Sequence, residues 1–305
     1  MKILLSPIRR RAAALRERAL ALVLGSTLAL AAAQAQAENT LVRLHTTQGP
    51  IDMQLLDADA PKTVANFLAY VNGGDYQDVF FHRSASNFVV QAGGFRWVAA
   101  SASCCQAVTS RGKVQNEFSA TRSNLRGTVA MAKVGSDPDS ATSQWFVNLG
   151  NNAANLDQQN GGFTVFARVT IPSMATVDRI AALPIVNAGA PYNELPVSGW
   201  VPKTPILRSN LALIERAEVL PPRWQQNDAQ RVFDYLEAAY PQYAYPSPGA
   251  SGAVDGYIYR YYSGSKAYVG VKGDQVFYLV PELGPSIQPM GSLTEWLSTA
   301  HKSGY

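Results

Sequence analysis

The sequence predicts a mainly β protein, an all-β barrel or sandwich with few helices, followed by a small α+β unit. Short apolar segments recur at Val79 to Phe81, Phe88 to Gln91, Gly127 to Met131, Gln144 to Asn148 and Thr164 to Val169, each bounded by Gly, Ser, Asn or Asp. Helical periodicity interrupts them at two places, and the composition changes after Pro221-Pro222. With 305 residues, 47% of them hydrophobic, the chain can fill one large core or two smaller ones.

The chain opens with a basic stretch, an apolar run from Ala19 to Ala33 and Ala35-Gln36-Ala37 before Glu38. Residues 1–37 therefore read as a cleavable secretory signal, since the apolar run is shorter than the roughly 20 residues a membrane span needs. Periplasmic or secreted localisation is the expectation that follows.

Thr40 to Leu56 alternates apolar and polar residues around Thr47-Gln48-Gly49-Pro50, the pattern of a β-hairpin. Asp59-Ala60-Pro61 then opens a helix with proline in its first turn. Val64, Phe67, Leu68 and Val71 follow at i, i+3, i+4 and i+7, and Gly73-Gly74 ends it. A second helix is expected from Ser173 to Leu183, stopped by Pro184. Residues 184–206 read as a Pro- and Gly-rich loop and Ile206 to Ala217 as the closing strand, so one domain spans 38–217.

Residues 218–228 read as a linker, and 229–305 as a separate small α+β domain. Ala229 to Tyr240 has helical periodicity, and Pro241 to Gly252 reads as a loop. Gly256 to Tyr262, Lys266 to Val271 and Gln275 to Val280 form a meander, and Ser292-Leu293-Thr294-Glu295 caps a final short helix. The aromatic strand Tyr257, Tyr259, Tyr261, Tyr262 is either core packing or the contact face of an envelope-ligand module.

Charge narrows the function classes. The formal net charge is +4, but residues 1–37 hold six of the 26 basic side chains and one of the 22 acidic ones. The remainder is near neutral, which argues against nucleic-acid binding. Three histidines, His45, His82 and His301, offer no metal-ligand spacing, and no cofactor motif is present. Cys104 and Cys105 are adjacent, which leaves free thiols and a vicinal or intermolecular disulfide both open.

Four motifs in order resemble the cyclophilin family of peptidyl-prolyl isomerases. They are Phe81-His82-Arg83; Phe88-Val89-Val90-Gln91-Ala92-Gly93-Gly94; Arg126 to Ala132 with Ser143-Gln144-Trp145-Phe146; and Leu156-Asp157 with Phe163-Thr164-Val165-Phe166. The likeness covers about Thr40 to Ala217 and is strongest to secreted bacterial members. It implies an eight-stranded antiparallel closed barrel capped by two helices. It also implies catalytic roles for Arg83 and Gln91. Phe88, Val89, Phe146 and Leu156 would form the proline pocket, Gln144 and Phe163 would be substrate contacts, and Ala132 and Lys133 the edge meeting residues before proline. The substrates implied are proline-containing unfolded or flexible polypeptides.

Rotation about a prolyl imide requires no nucleophile, metal or cofactor, because the barrier is the delocalised nitrogen lone pair. A permanently charged guanidinium suits it as a donor to that nitrogen. His82 is expected to be a packed imidazole, because bond rotation transfers no proton. Ser84-Ala85-Ser86-Asn87 departs from the family, which has apolar residues and a Pro-Gly turn after its arginine. That departure motivates an alternative reading, a proline-peptide-binding or chaperone module with little isomerase activity.

Overall fold

The computed structural model describes residues 39–99, 105–222, 226–244 and 248–305. The expected signal segment and Cys104 lie outside the described residues.

Strand β1 (Leu41–Thr46) turns back into β2 (Gly49–Leu55), as the alternation predicts, with Leu44 opposite Ile51. Helix α1 (Pro61–Asn72) buries Val64, Phe67 and Val71 along one face. Its Phe67 ring packs 5.1 Å from Phe166 and edge-on to Trp145, so the helix covers the inside of the sheet. The orphan N–H groups of its first turn donate to the Glu117 carboxylate from Lys62 and Thr63, at 3.1 and 2.8 Å.

Short strands follow: β3 (Val79–Phe80), β4 (Arg83–Ala85), β5 (Val89–Ala92), β6 (Phe95–Trp97) and β7 (Cys105–Ala107). Then come β8 (Thr128–Met131), β9 (Trp145–Asn148), the single-turn α2 (Ala153–Leu156), β10 (Val165–Val169) and α3 (Met174–Ala181). A two-residue ladder joins β11 (Ile185–Val186) to β12 (Leu195–Pro196) within the expected loop, and β13 (Leu213–Val219) pairs with β1.

The hydrogen-bonded order is β4-β5-β9-β8-β10-β2-β1-β13-β3-β6-β7. This corrects the expected closed eight-stranded barrel: among the described residues the sheet has eleven strands and two ends. The difference arises at Phe81-His82, where the chain leaves β13 after β3 and joins β5 as β4. One path along the chain thus serves two distant parts of the sheet. The closing strand also starts later than Ile206, after a 3-10 turn at Arg208–Asn210.

The C-terminal residues add α4 (Asp228–Ala239), α5 (Pro241–Ala244), the antiparallel strands β14 (Pro248–Val254), β15 (Tyr257–Tyr262), β16 (Ala267–Lys272), β17 (Gln275–Leu279) and β18 (Gln288–Ser292), and α6 (Leu293–Lys302). Ser292 caps α6 by accepting from the Glu295 N–H. The sequence reading missed β14 and β18, both edge strands, where Pro and Gly are tolerated because one side needs no ladder hydrogen bonds. Val232, Phe233 and Leu236 of α4 share a core with Val271, Val276 and the final residue, Tyr305. On the opposite sheet face, Tyr257, Tyr259, Tyr268 and Phe277 line a shallow apolar groove. Among the described residues no helix is long and apolar enough to cross a membrane.

Candidate active site

Strand periodicity sorts two apolar sets onto opposite faces of one sheet. Val90, Ala92, Val129, Met131, Trp145 and Val147 point into the main core. Val89, Ala130, Phe146 and Val165 point the other way and form a separate cluster with Leu56 and Leu156, against which Phe88, Ala132 and Phe163 pack. This second cluster therefore lies on the sheet face opposite the main core.

Register builds the rest of the site. Arg83 is paired with Gln91, Gln91 with Phe146 and Phe146 with Ala130, so these four side chains lie in one row across β4, β5, β9 and β8. The row borders a cleft of about 370 Å³ lined by Arg83, Phe88, Gln91, Lys133, Phe146 and Phe163, with Val89, Ala132 and Leu156 beneath and beside them. Phe146 meets Phe163 edge to face at 5.8 Å, and the Arg83 guanidinium carbon lies 5.8 Å from the Phe88 ring centre. An apolar floor thus carries two cations at its border, Arg83 beside Phe88 and Lys133 over Phe163.

Gln144 stands one step behind the cleft, where its Oε1 accepts from Gln91 Nε2 at 2.8 Å. Two glycines make room for this pair. Gly93 has φ +85, and a Cβ there would lie 2.3 Å from the Ser143 carbonyl oxygen; a Cβ on Gly94 would lie 2.8 Å from the Gln144 amide carbon. Lys133 donates to the Asn160 and Gly162 carbonyls at 2.7 and 2.6 Å and sits 4.7 Å above the Phe163 ring. Burial lowers its pKa below the usual lysine value. His82 is buried edge-on to Phe95, and burial pushes its imidazole down to about 4, which keeps it neutral.

Several supporting residues escaped the sequence reading. Glu194 accepts from Arg83 Nε at 2.8 Å across 111 residues of sequence. Asn152 donates to the Phe88 carbonyl and Asn124 to that of Phe163, at 2.8 and 3.0 Å, and Asn148 joins the two asparagines. Two pocket rings are thereby tied to one buried amide network, a satisfied arrangement that fixes them. Asn155 and Gln159 complete the cleft wall. The unusual Ser84 to Asn87 segment forms a tight turn closed by the Phe88 N–H on the Ala85 carbonyl, with Asn87 at φ 56. Asparagine tolerates this left-handed conformation, so it fills the place glycine usually takes.

The sequence pattern of the family "Cyclophilin type peptidyl-prolyl cis-trans isomerase/CLD" matches residues 41–200. A peptidyl-prolyl cis-trans isomerase of Acinetobacter baylyi is 38% identical over 61% of this chain and 90% of its own length. Peptidyl-prolyl cis-trans isomerase A of Dickeya dadantii is 38% identical over 63% and 93%, and isomerase B of Escherichia coli 34% over 49% and 88%. Among solved structures, a cyclophilin type isomerase of Cryptosporidium parvum aligns with a TM-score of 0.45 at 20% identity, over 60% of this chain and 99% of that one. The chain belongs to the cyclophilin-type peptidyl-prolyl cis-trans isomerase family.

Proposed function

We propose that this chain isomerises X-Pro bonds in exported polypeptides, with Arg83 as the group that acts on the imide. The observation that carries the reading is the register row, which sets the Arg83 guanidinium beside Gln91 at the rim of an apolar cleft. The uncatalysed barrier is about 18–20 kcal/mol because the nitrogen lone pair is delocalised into the carbonyl. As the bond twists, that lone pair localises on nitrogen and becomes an acceptor for a guanidinium N–H. The hydrogen bond exists only in the twisted state, so it lowers the barrier without tightening ground-state binding.

A hydrogen bond to a charged group contributes about 1.5–3 kcal/mol, whereas a ten-thousandfold acceleration needs about 5.5 kcal/mol. The remainder falls to the pocket, which holds the proline ring on Phe146 and Leu156 and excludes water from the bond. Gln91, tethered by Gln144, is suited to a substrate carbonyl or N–H. Ala132 and Lys133 border the residues before proline. Export rests on the signal-like residues 1–37.

Exchange of a short X-Pro peptide, measured by NMR with the protein beginning at Glu38, tests the reading. The expected result is acceleration by the unmutated protein and a loss of about a hundredfold in Arg83→Ala, the scale of losing one transition-state donor. Exchange no faster than buffer, with the peptide still bound, would instead make this a proline-peptide-binding module. For export, the full chain expressed in a Gram-negative host should appear in the periplasm beginning at Glu38; uncleaved protein confined to the cytoplasm would refute it.

A further inference from the structure

We infer that Glu194 is the positioning residue for the Arg83 guanidinium, an inference that rests on the proposed role of Arg83 at the imide. Glu194 holds the arginine twice. Its side-chain Oε2 accepts from Arg83 Nε at 2.8 Å, and its backbone carbonyl accepts from the Ser84 N–H at 2.8 Å. The carboxylate and the strand that carries the guanidinium therefore move together.

Both sides of Glu194 are anchored. Tyr192 packs against Phe80 and Phe95 with ring centres 5.7 and 5.1 Å apart, and Leu195 belongs to a buried cluster with Phe80 and Leu213. The loop tip that presents the carboxylate is thus fixed to the same β3 strand from which β4 continues. Arg83, by contrast, has a side chain about two-fifths exposed and several rotatable bonds. On its cleft side it lies 5.8 Å from the Phe88 ring centre, too loose a contact to set the orientation of the fork.

The choice of atom has a chemical consequence. A guanidinium has five N–H donors, and a carboxylate seated on the two terminal nitrogens would occupy the face that a substrate needs. Contact at Nε instead fixes the plane of the group while leaving both terminal NH2 groups for the imide and its carbonyl. Such a group acts through orientation, where small misplacement lowers the rate by about ten- to a hundredfold.

Rates and peptide binding of the unmutated protein, Glu194→Ala, Glu194→Gln, Arg83→Ala and the Arg83→Ala/Glu194→Ala double variant test this by NMR exchange. Glu194→Ala should lower kcat about tenfold or more with KM within about twofold. Glu194→Gln, whose amide oxygen still accepts from Nε, should recover to within about threefold of the unmutated rate. In the Arg83→Ala background, removing Glu194 should change nothing, because the effect passes through the arginine. An undiminished Glu194→Ala, or the same loss in both backgrounds, overturns the inference and leaves the arginine reading standing. An Arg83→Ala variant as fast as the unmutated protein overturns both.

Discussion

Arg43 Nη1 donates to Glu237 Oε2 at 2.5 Å, joining the first strand to helix α4 across 194 residues of sequence. Arg43 alternates with the core residues Val42 and Leu44, and such a position normally faces water. Here it is 2% exposed. Its remaining N–H groups make a paired contact with Asp52 at 2.8 Å and reach the Asp234 carbonyl, while Arg260 meets Glu237 and Asp234 from the other side. The C-terminal residue, Tyr305, adds a hydroxyl donated to Asp52. The C-terminal unit is thereby fastened to the outside of the sheet by buried charge.

Removing one partner strands the others. Arg43→Ala leaves Asp52 and Glu237 as buried carboxylates with fewer donors, so urea unfolding should show a loss of about 3–5 kcal/mol. Arg43 lies on β1, three strands from β8 in the sheet order, so the isomerase rate per folded molecule should be unchanged. A deletion of residues 221–305 should destabilise the remaining sheet by a similar route. A loss below about 1 kcal/mol for Arg43→Ala would show that the cluster is not what fastens the two parts.

Two buried groups should give opposite pH dependences. Burial depresses His82 to about 4 from an ordinary 6.5, so the fold favours its neutral form. That contribution is complete above pH 6.5 and is lost as pH falls toward 4, on the order of 3 kcal/mol. Burial raises Asp234 to about 6 from an ordinary 3.8, against the pull of Arg43 and Arg260, so the fold favours its protonated form. That contribution is complete below pH 3.8 and is lost as pH rises toward 6, again on the order of 3 kcal/mol. Glu218, held at about 2 by its hydrogen bond with His45, acts mainly below this range. Between pH 4.5 and 6.5, Asp234→Asn should make stability rise more steeply with pH than in the unmutated protein, and His82→Gln should flatten or reverse the slope. Urea midpoints at the two pH values measure both; unchanged slopes would refute both assignments.

The features readable in the sequence were local ones. The β1–β2 hairpin and α1 follow from residues spaced two, three or four apart, whereas Arg83, Gln91 and Phe146 are pointed to by the family resemblance and are joined in one row only by strand register; the strand period places Val89 and Phe146 on a face opposite Val90 and Val147. Glu194 carries no such signal, because it meets Arg83 only after 111 residues of chain. The same holds for Asn124, Asn148 and Asn152, whose amides converge on the carbonyls of Phe88 and Phe163. Asn87 shows how one physical demand admits two spellings: the turn needs a left-handed residue, and asparagine meets it at φ 56 without Pro-Gly. The burial of Arg43 has no local signal, for a further reason. Alternation marks the polar face of a strand but does not reveal that a helix nearly 200 residues away will cover it.

Lys133 illustrates the difference between lying at a site and touching its ligand. Both carbonyls within its reach, Asn160 and Gly162, belong to the loop that carries Phe163, and the ammonium lies over that ring. These contacts predict that it holds the wall of the pocket rather than attracting charge in the peptide. Lys133→Met keeps the apolar stem and removes the donors, so it should raise KM about three- to tenfold with kcat nearly unchanged. Lys133→Arg should restore part of the loss. The decisive measurement compares peptides with Ala and with Glu before proline. Wall support predicts the same increase in KM for both, independent of salt, because the damage is to the proline pocket. A contact between Lys133 and the substrate predicts a loss confined to the Glu peptide and erased at high ionic strength, and that result would return Lys133 to the peptide-binding edge.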